Sequence, residues 1–253
     1  MSASPTTTNR RSGAVRLNHI VYWLSRHWLF SISVLIGIWV GLPWAAPLFM
    51  EMGWTGAGKA IYLLYATQCH QLPQRSFFLF GNQPMYSLVE VQTNWQITNN
   101  PIILRKFIGE AGIGWKVAWS DRMVFMYTTI LIWGVLFWPV RKRLKPLPWW
   151  GLVLLVLPLV ADGFTHMISD FTAGIGLGFR DSNAWLAVLT NNTFPATFFS
   201  GDSLGSFNSL ARLITGLLFS LGIVWAFYPR LHGGFASTAN QIAEKLHKAG
   251  LEV

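Results

Sequence analysis

Four long apolar runs separated by polar stretches set the pattern of this chain. The first, residues 28–49, carries no charge. At 1.5 Å per residue it reaches across the roughly 30 Å of a bilayer's hydrocarbon core. It also exceeds the 7–15 residues or so of a secretory leader's apolar core, so it predicts a retained helix, although Ala45-Ala46 resembles a cleavage signal. The second run, 124–140, stops against Arg141-Lys142-Arg143 and Lys145. The third, 149–168, is apolar except for Asp162 and His166 near its end, and the fourth, 210–228, has Arg212 near its start and Pro229-Arg230 at its close. The predicted fold class is all-α. It is a polytopic membrane protein whose four transmembrane helices fill a membrane domain over 19–230. A disordered cytoplasmic tail, 1–18, precedes that domain, and a short polar cytoplasmic helix, 231–253, follows it.

Between the first two runs the periodicity changes. Residues 57–71 predict an extracytoplasmic amphipathic helix with Ile61, Leu64 and Tyr65 on one face. It should stop before Pro73, because the residue preceding proline avoids the α region. Residues 77–80, the turn-rich Gly81-Asn82-Gln83-Pro84 and residues 85–91 read as a short hairpin or loop. Gly174, Gly176 and Gly178 alternate and read as a hinge.

Composition sharpens the class. Hydrophobic residues make up 52% of the chain and charged residues 11%, with a mean hydropathy of +0.39. Soluble domains carry about 25% charged residues, so a soluble fold is excluded. Fourteen Trp and eighteen Phe supply interfacial anchors. A net charge of +9 would suggest nucleic acid in a soluble protein, but the positions of the charges argue for membrane orientation instead. Arg10, Arg11, Arg16, Arg26, Arg141, Lys142, Arg143, Lys145, Arg230, Lys245 and Lys248 all fall in 1–27, 141–148 and 229–253. The positive-inside rule then places both termini in the cytoplasm of a plasma-membrane protein, with residues 50–123 and 169–209 outside. The expected partner is the lipid bilayer, not nucleic acid. A single cysteine, Cys69, excludes an intrachain disulfide and an all-cysteine metal site.

The candidate chemistry gathers outside the cytoplasm. Cys69-His70-Gln71-Leu72-Pro73-Gln74-Arg75-Ser76 places a thiol, an imidazole and a guanidinium in one turn. Asp162 sits at or below the outer membrane boundary, where a carboxylate costs several kcal/mol unless paired or hydrated. Arg122 and Arg212 begin other runs on the same side and are expected to converge on it. Such a cluster reads either as ion pairs that fix helix register or as an anion or headgroup pocket lined by the spare arginine. Asp162 and His166, four apart, share a helical face. With Cys69 and His70 they make an acceptable ligand set for a zinc or iron ion. Either His70 or Arg75 could instead activate the Cys69 thiol for nucleophilic chemistry.

The segment Cys69-His70-Gln71-x-Pro73-x-Arg75-Ser76-Phe77 resembles the signature of a prokaryotic membrane family known as domain of unknown function 2085. Further blocks agree in order: Gly114-Trp115-Lys116-Val117-Ala118 leading to Arg122; Asp162-Gly163-x-Thr165; Phe179-Arg180-Asp181-Ser182-Asn183; and Ala211-Arg212-Leu213-x-Thr215-Gly216 running to Tyr228-Pro229. Three features depart from the family pattern. Ser120-Asp121-Arg122-Met123 replaces a Cys-x-Arg-Cys or Cys-x-Arg-Asp segment, His166 replaces a glutamine, and residues 184–208 are inserted. The missing second cysteine argues against a dithiol role, and the resemblance implies no established activity.

These readings give ten candidate ligand-binding residues: Cys69, His70, Gln71, Arg75, Ser76, Arg122, Asp162, His166, Arg180 and Arg212. The expected function is an extracytoplasmic polar site for a metal ion or a small anionic or lipid-headgroup ligand. If Arg75 contacts that ligand, replacing it should leave stability nearly unchanged. The alternative is an accessory or scaffold subunit of a larger membrane complex, in which the polar cluster is structural. Transport is disfavoured, since no inverted repeat or broken mid-membrane segment is visible.

Overall fold

Where the sequence predicts a disordered tail, the chain forms α1 (Pro5–Arg26). The structure, a computed structural model, describes residues 5–252, with side chains from residue 13 onward. Residues 1–4 of the expected tail lie outside the described residues. The first apolar run is α2 (Trp28–Glu51), which contains Pro43 and Pro47. Trp28 ties this end of α2 to the far end of the chain, donating to His232 Nδ1 at 3.3 Å and stacking on Phe235 at 5.6 Å.

Next comes α3 (Thr55–Tyr65), which ends earlier than the pattern predicts. The backbone N–H groups of Gln68 and Cys69 both fold back onto the Tyr65 carbonyl, and Gln71 has φ 51°, a left-handed value that no α-helix can absorb. Ile61 and Tyr65 are buried as expected, but Leu64 faces outward.

After a single turn over Pro73–Arg75 the chain builds β1 (Ser76–Leu79), α4 (Leu88–Asn94), α5 (Pro101–Leu104), β2 (Gly109–Glu110) and β3 (Gly114–Ser120). Of the hairpin or loop expected over 77–91, the loop forms, over residues 80–87, between β1 and α4. Strand β1 pairs antiparallel with β3, in the register Ser76↔Ser120 and Phe78↔Lys116, and β2 takes the other edge of β3. Residues 88–94 are helical because Ser87 and Glu90 close a capping box, the Ser87 N–H donating to Glu90 Oε2 at 2.7 Å. The all-α expectation therefore holds for the bundle and is corrected by this small sheet. Val117, Ala118 and Trp119 of β3 are fully buried in one cluster with Val40, Ala46 and Met50 of α2.

The remaining elements are α6 (Asp121–Val140), α7 (Trp149–Ala173), the short α8 (Phe179–Ser182), α9 (Ala184–Leu189) and α10 (Ala196–Phe199), and α11 (Phe207–Lys248). Helix α11 runs 42 residues straight through Pro229, where the sequence predicts a stop. Proline removes the N–H that would bond the carbonyl four residues back. That carbonyl, on Trp225, instead accepts the Leu147 N–H at 3.2 Å. The bundle is drawn together by small residues: a Cβ on Gly216 would lie 3.2 Å from Met126 N, and one on Gly222 would lie 3.0 Å from Leu155 Cβ. Between α6 and α11, the Thr129 and Ser220 hydroxyls meet at 2.6 Å.

Helices α2, α6, α7 and α11 are each long and apolar enough to cross a membrane. The protein is a multi-pass membrane protein. The sheet, α3 and the loops that follow α7 cover the end of the bundle opposite α1, termed here the distal end.

Candidate functional site

The turn that carries the thiol is held from behind. Gln71 is buried, and its Nε2 donates to the carbonyls of Tyr62 and Ala118, both at 2.9 Å, fastening the turn to α3 and β3. Its own carbonyl accepts from Lys116 Nζ at 2.7 Å. The Gln71 N–H points at Cys69 Sγ from 3.4 Å, and that thiol donates to Ser120 Oγ at 3.3 Å. Ser76, also buried, donates to the Leu72 carbonyl at 2.9 Å and closes the turn. Gln71 and Ser76 thus position the Cys-His segment.

Lys116 is fully buried, with the carbonyls of Gln71 and Arg105 (3.0 Å) as acceptors and no carboxylate partner among the described residues. Burial pushes its pKa down to about 7. Negative charge on Cys69 would oppose that shift, and Arg105 reinforces it.

Two ion-pair networks lie between this turn and the bundle. In the first, Arg75 grips Asp170 with both terminal nitrogens, at 2.7 and 3.0 Å, and gives its Nε to Asp202 at 2.6 Å. Asp202 also holds Arg212, whose Nη1 donates to its carboxylate and Nη2 to its backbone carbonyl, both at 2.7 Å. Arg212 Nε then reaches Asp121 at 2.7 Å. Burial alone would lower the Arg75 pKa, but Asp202 and Asp170 reverse this and raise it. Burial would likewise favour a protonated Asp202, but Arg75 and Arg212 outweigh it and hold that carboxyl well below the usual range.

In the second network Asp162 accepts from Arg122 Nη2 and Arg180 Nη2, each at 2.7 Å. His166 stands between the two, its Nδ1 3.4 Å from Asp162 Oδ1 and its Nε2 3.6 Å from Asp202 Oδ1. The expected convergence of Arg122 and Arg212 on Asp162 is therefore corrected. Arg122 pairs with Asp162, but Arg212 turns to Asp121 and Asp202 because those two acids flank it at the mouths of α6 and α11. Arg75 is likewise not a free ligand-facing group. With three charge-assisted contacts to two carboxylates it is part of the scaffold, so its removal is expected to cost stability.

A cavity of about 290 Å³ opens between the Cys69–Leu72 turn, the first residues of α6 and one face of α7. Seven of the ten candidates line it: Cys69, His70, Gln71, Arg75, Arg122, His166 and Arg212. Ser76, Asp162 and Arg180 lie off the lining. Asp121 and Asp170 also line it and are absent from the sequence-based set. Asp170 falls four residues beyond His166 on the same helical face, so spacing alone could have found it. Asp202 sits in the loop between α10 and α11 with no local signal.

Arg122 differs from the other cavity arginines. Its Nη2 is committed to Asp162 and its unpartnered Nε is buried, but its Nη1 makes no hydrogen bond among the described residues and is not buried, and about a quarter of the side chain is exposed. It lies in the first turn of α6, whose positive dipole end faces the same space. Among the described residues, no group of three His, Cys, Asp or Glu side chains is placed to hold a metal ion. The Asp162 oxygens are taken by two arginines, and the Cys69 thiol is bonded to Ser120.

No family model matches the chain, and no solved structure matches it. It is similar to an uncharacterised protein of Methanocaldococcus jannaschii, with 27% identity over 131 residues, 49% of this chain and 62% of the relative. The chain thus spans less than two thirds of that relative's length.

Proposed function

We propose that this protein is a plasma-membrane protein with both termini in the cytoplasm, a divergent relative of the domain of unknown function 2085 family. Its distal cavity faces outward and binds a small ligand carrying a phosphate-like anionic group. The uneven distribution of Lys and Arg supports the orientation. The observation that carries the ligand is Arg122, a partly exposed guanidinium on the wall of a preformed cavity whose Nη1 has no partner among the described residues. Three guanidiniums line that cavity against two carboxylates. Arg75 and Arg212 hold its shape through Asp170, Asp202 and Asp121, and Arg122 meets the ligand.

The test is thermal unfolding of the purified protein in uncharged detergent with added inorganic phosphate at millimolar concentration. A ligand that binds only the folded state raises the melting temperature. The rise is expected in the wild type and absent from Arg122→Gln. An equal rise in both would reject the assignment. Absence of any rise, together with recovery of stoichiometric membrane partners from mild detergent, would favour the accessory-subunit reading.

A further inference from the structure

One wall of the cavity has a double character. Helix α7 contributes Gly163, His166, Met167, Asp170 and Phe171, spaced so that they form one stripe along the helix. His166 is buried within the stripe. Met167 and Phe171 line the same cavity and are also 44% and 84% exposed on the outer surface. They continue the exposed apolar face of α7 that Val153, Leu157, Val160 and Phe164 form below them. Across the opening, Leu72, Pro101 and Ile175 add apolar lining, and Ile102 beside Pro101 is exposed. The polar interior of the cavity is therefore reached across a lip continuous with the surface that faces lipid. A pocket built for a free anion gains nothing from such a lip, since a water-soluble ion enters through water.

We infer that the ligand is an anionic amphiphile, its phosphate-type head held in the cavity by Arg122 and its hydrocarbon tail leaving over Met167 and Phe171 into the membrane. This rests on the anion-binding reading of the same cavity. Size agrees with the division of the molecule. Ligand pockets occupy about 300–1,000 Å³, so 290 Å³ is at the small end of that range and has room for a headgroup. The hydrocarbon then stays in lipid, and only the head is desolvated against paired arginines.

The experiment uses the full chain in phosphatidylcholine nanodiscs. Melting temperature is followed as phosphatidic acid is added to the bilayer, and separately as glycerol phosphate is added to the water. Phosphatidic acid should raise the melting temperature of the wild type but not of Arg122→Gln, with glycerol phosphate at least tenfold less potent. Phe171→Ser alters an exposed side chain and leaves the ion pairs intact, so it should fold. It should weaken the lipid response and spare the response to glycerol phosphate. If glycerol phosphate is as potent as the lipid, and Arg122→Gln abolishes its effect, the amphiphile inference falls and the anion site stands. If neither compound raises the melting temperature, or Arg122→Gln responds like the wild type, both fall.

Discussion

The Arg122 guanidinium lies against Gly163: a Cβ built on that glycine would come within 3.1 Å of Arg122 Nη1, while Nη2 of the same group holds Asp162 at 2.7 Å. A side chain on α7 at this position would push the guanidinium off its seat. The glycine next to the acid thus lets the arginine lie across the helix with Nη1 beside a residue that lines the cavity. The adjacency of Asp162 and Gly163 in the sequence is in this sense a single device.

Gly163→Ala should accordingly separate binding from folding. The contact is with the far end of a flexible side chain, which can yield by a few tenths of an ångström, so the melting temperature should change little. The ligand-facing donor moves, and affinity for inorganic phosphate should fall by up to about tenfold, or 1.4 kcal/mol. Gly178→Ala is the contrast. There a Cβ would meet the Ser169 backbone carbonyl at 2.8 Å, and backbone cannot step aside. That variant should fail to accumulate as folded protein. Affinity unchanged in Gly163→Ala, measured by titration calorimetry, would detach Arg122 from the ligand.

The transmembrane helices were legible because a hydrocarbon-length apolar run has few alternatives, and the observed α2, α6, α7 and α11 contain the predicted spans. The charged positions were legible for a related reason: an ionisable group at the membrane boundary demands partners. Which partners they find was not legible. Asp202 comes from the loop between α10 and α11, and Asp121 and Asp170 look locally like ordinary helix-end acids. The β1–β3 pairing was hidden because it joins residues 76–79 to 115–120, and no local period reports so distant a partner. The continuity of α11 through Pro229 was hidden too, since it depends on a donor, Leu147, from another part of the chain.

Asp202 carries the acid sensitivity of the distal end. Its pKa is held well below the ordinary value by Arg75 and Arg212 against the opposing effect of burial. A depressed carboxylate contributes stability that is fully present above its unfolded value of about 3.9, and that stability is lost as pH falls from there through the folded value. Asp202→Asn leaves both guanidiniums without this charge and should cost about 3–5 kcal/mol at neutral pH. Melting temperatures of the two proteins should differ at neutral pH and converge as pH drops below about 4. Convergence already at pH 6 would show that the carboxyl is not held ionised.

Lys116 should titrate in the opposite part of the scale. Its amine is buried behind the Cys69 turn, donates to two carbonyls and faces no carboxylate among the described residues, and its pKa is pushed down to about 7 from 10.5. Below pH 7 the amine is protonated in both the folded and the unfolded chain, and the folded state bears the full penalty of a buried cation. Between pH 7 and 10.5 the unfolded chain keeps a proton that the folded chain has released. The unfolded state then binds more protons, so stability rises with pH across this window. Lys116→Met removes the titration and leaves the Gln71 and Arg105 carbonyls without their donor, a loss that is constant with pH. The wild-type melting temperature minus that of Lys116→Met should therefore increase steadily from pH 7 to 10. Groups remote from Lys116 titrate equally in both proteins and cancel. A difference that stays flat would mean that the buried amine keeps its proton throughout, and that the two carbonyls suffice to hold a cation in this place.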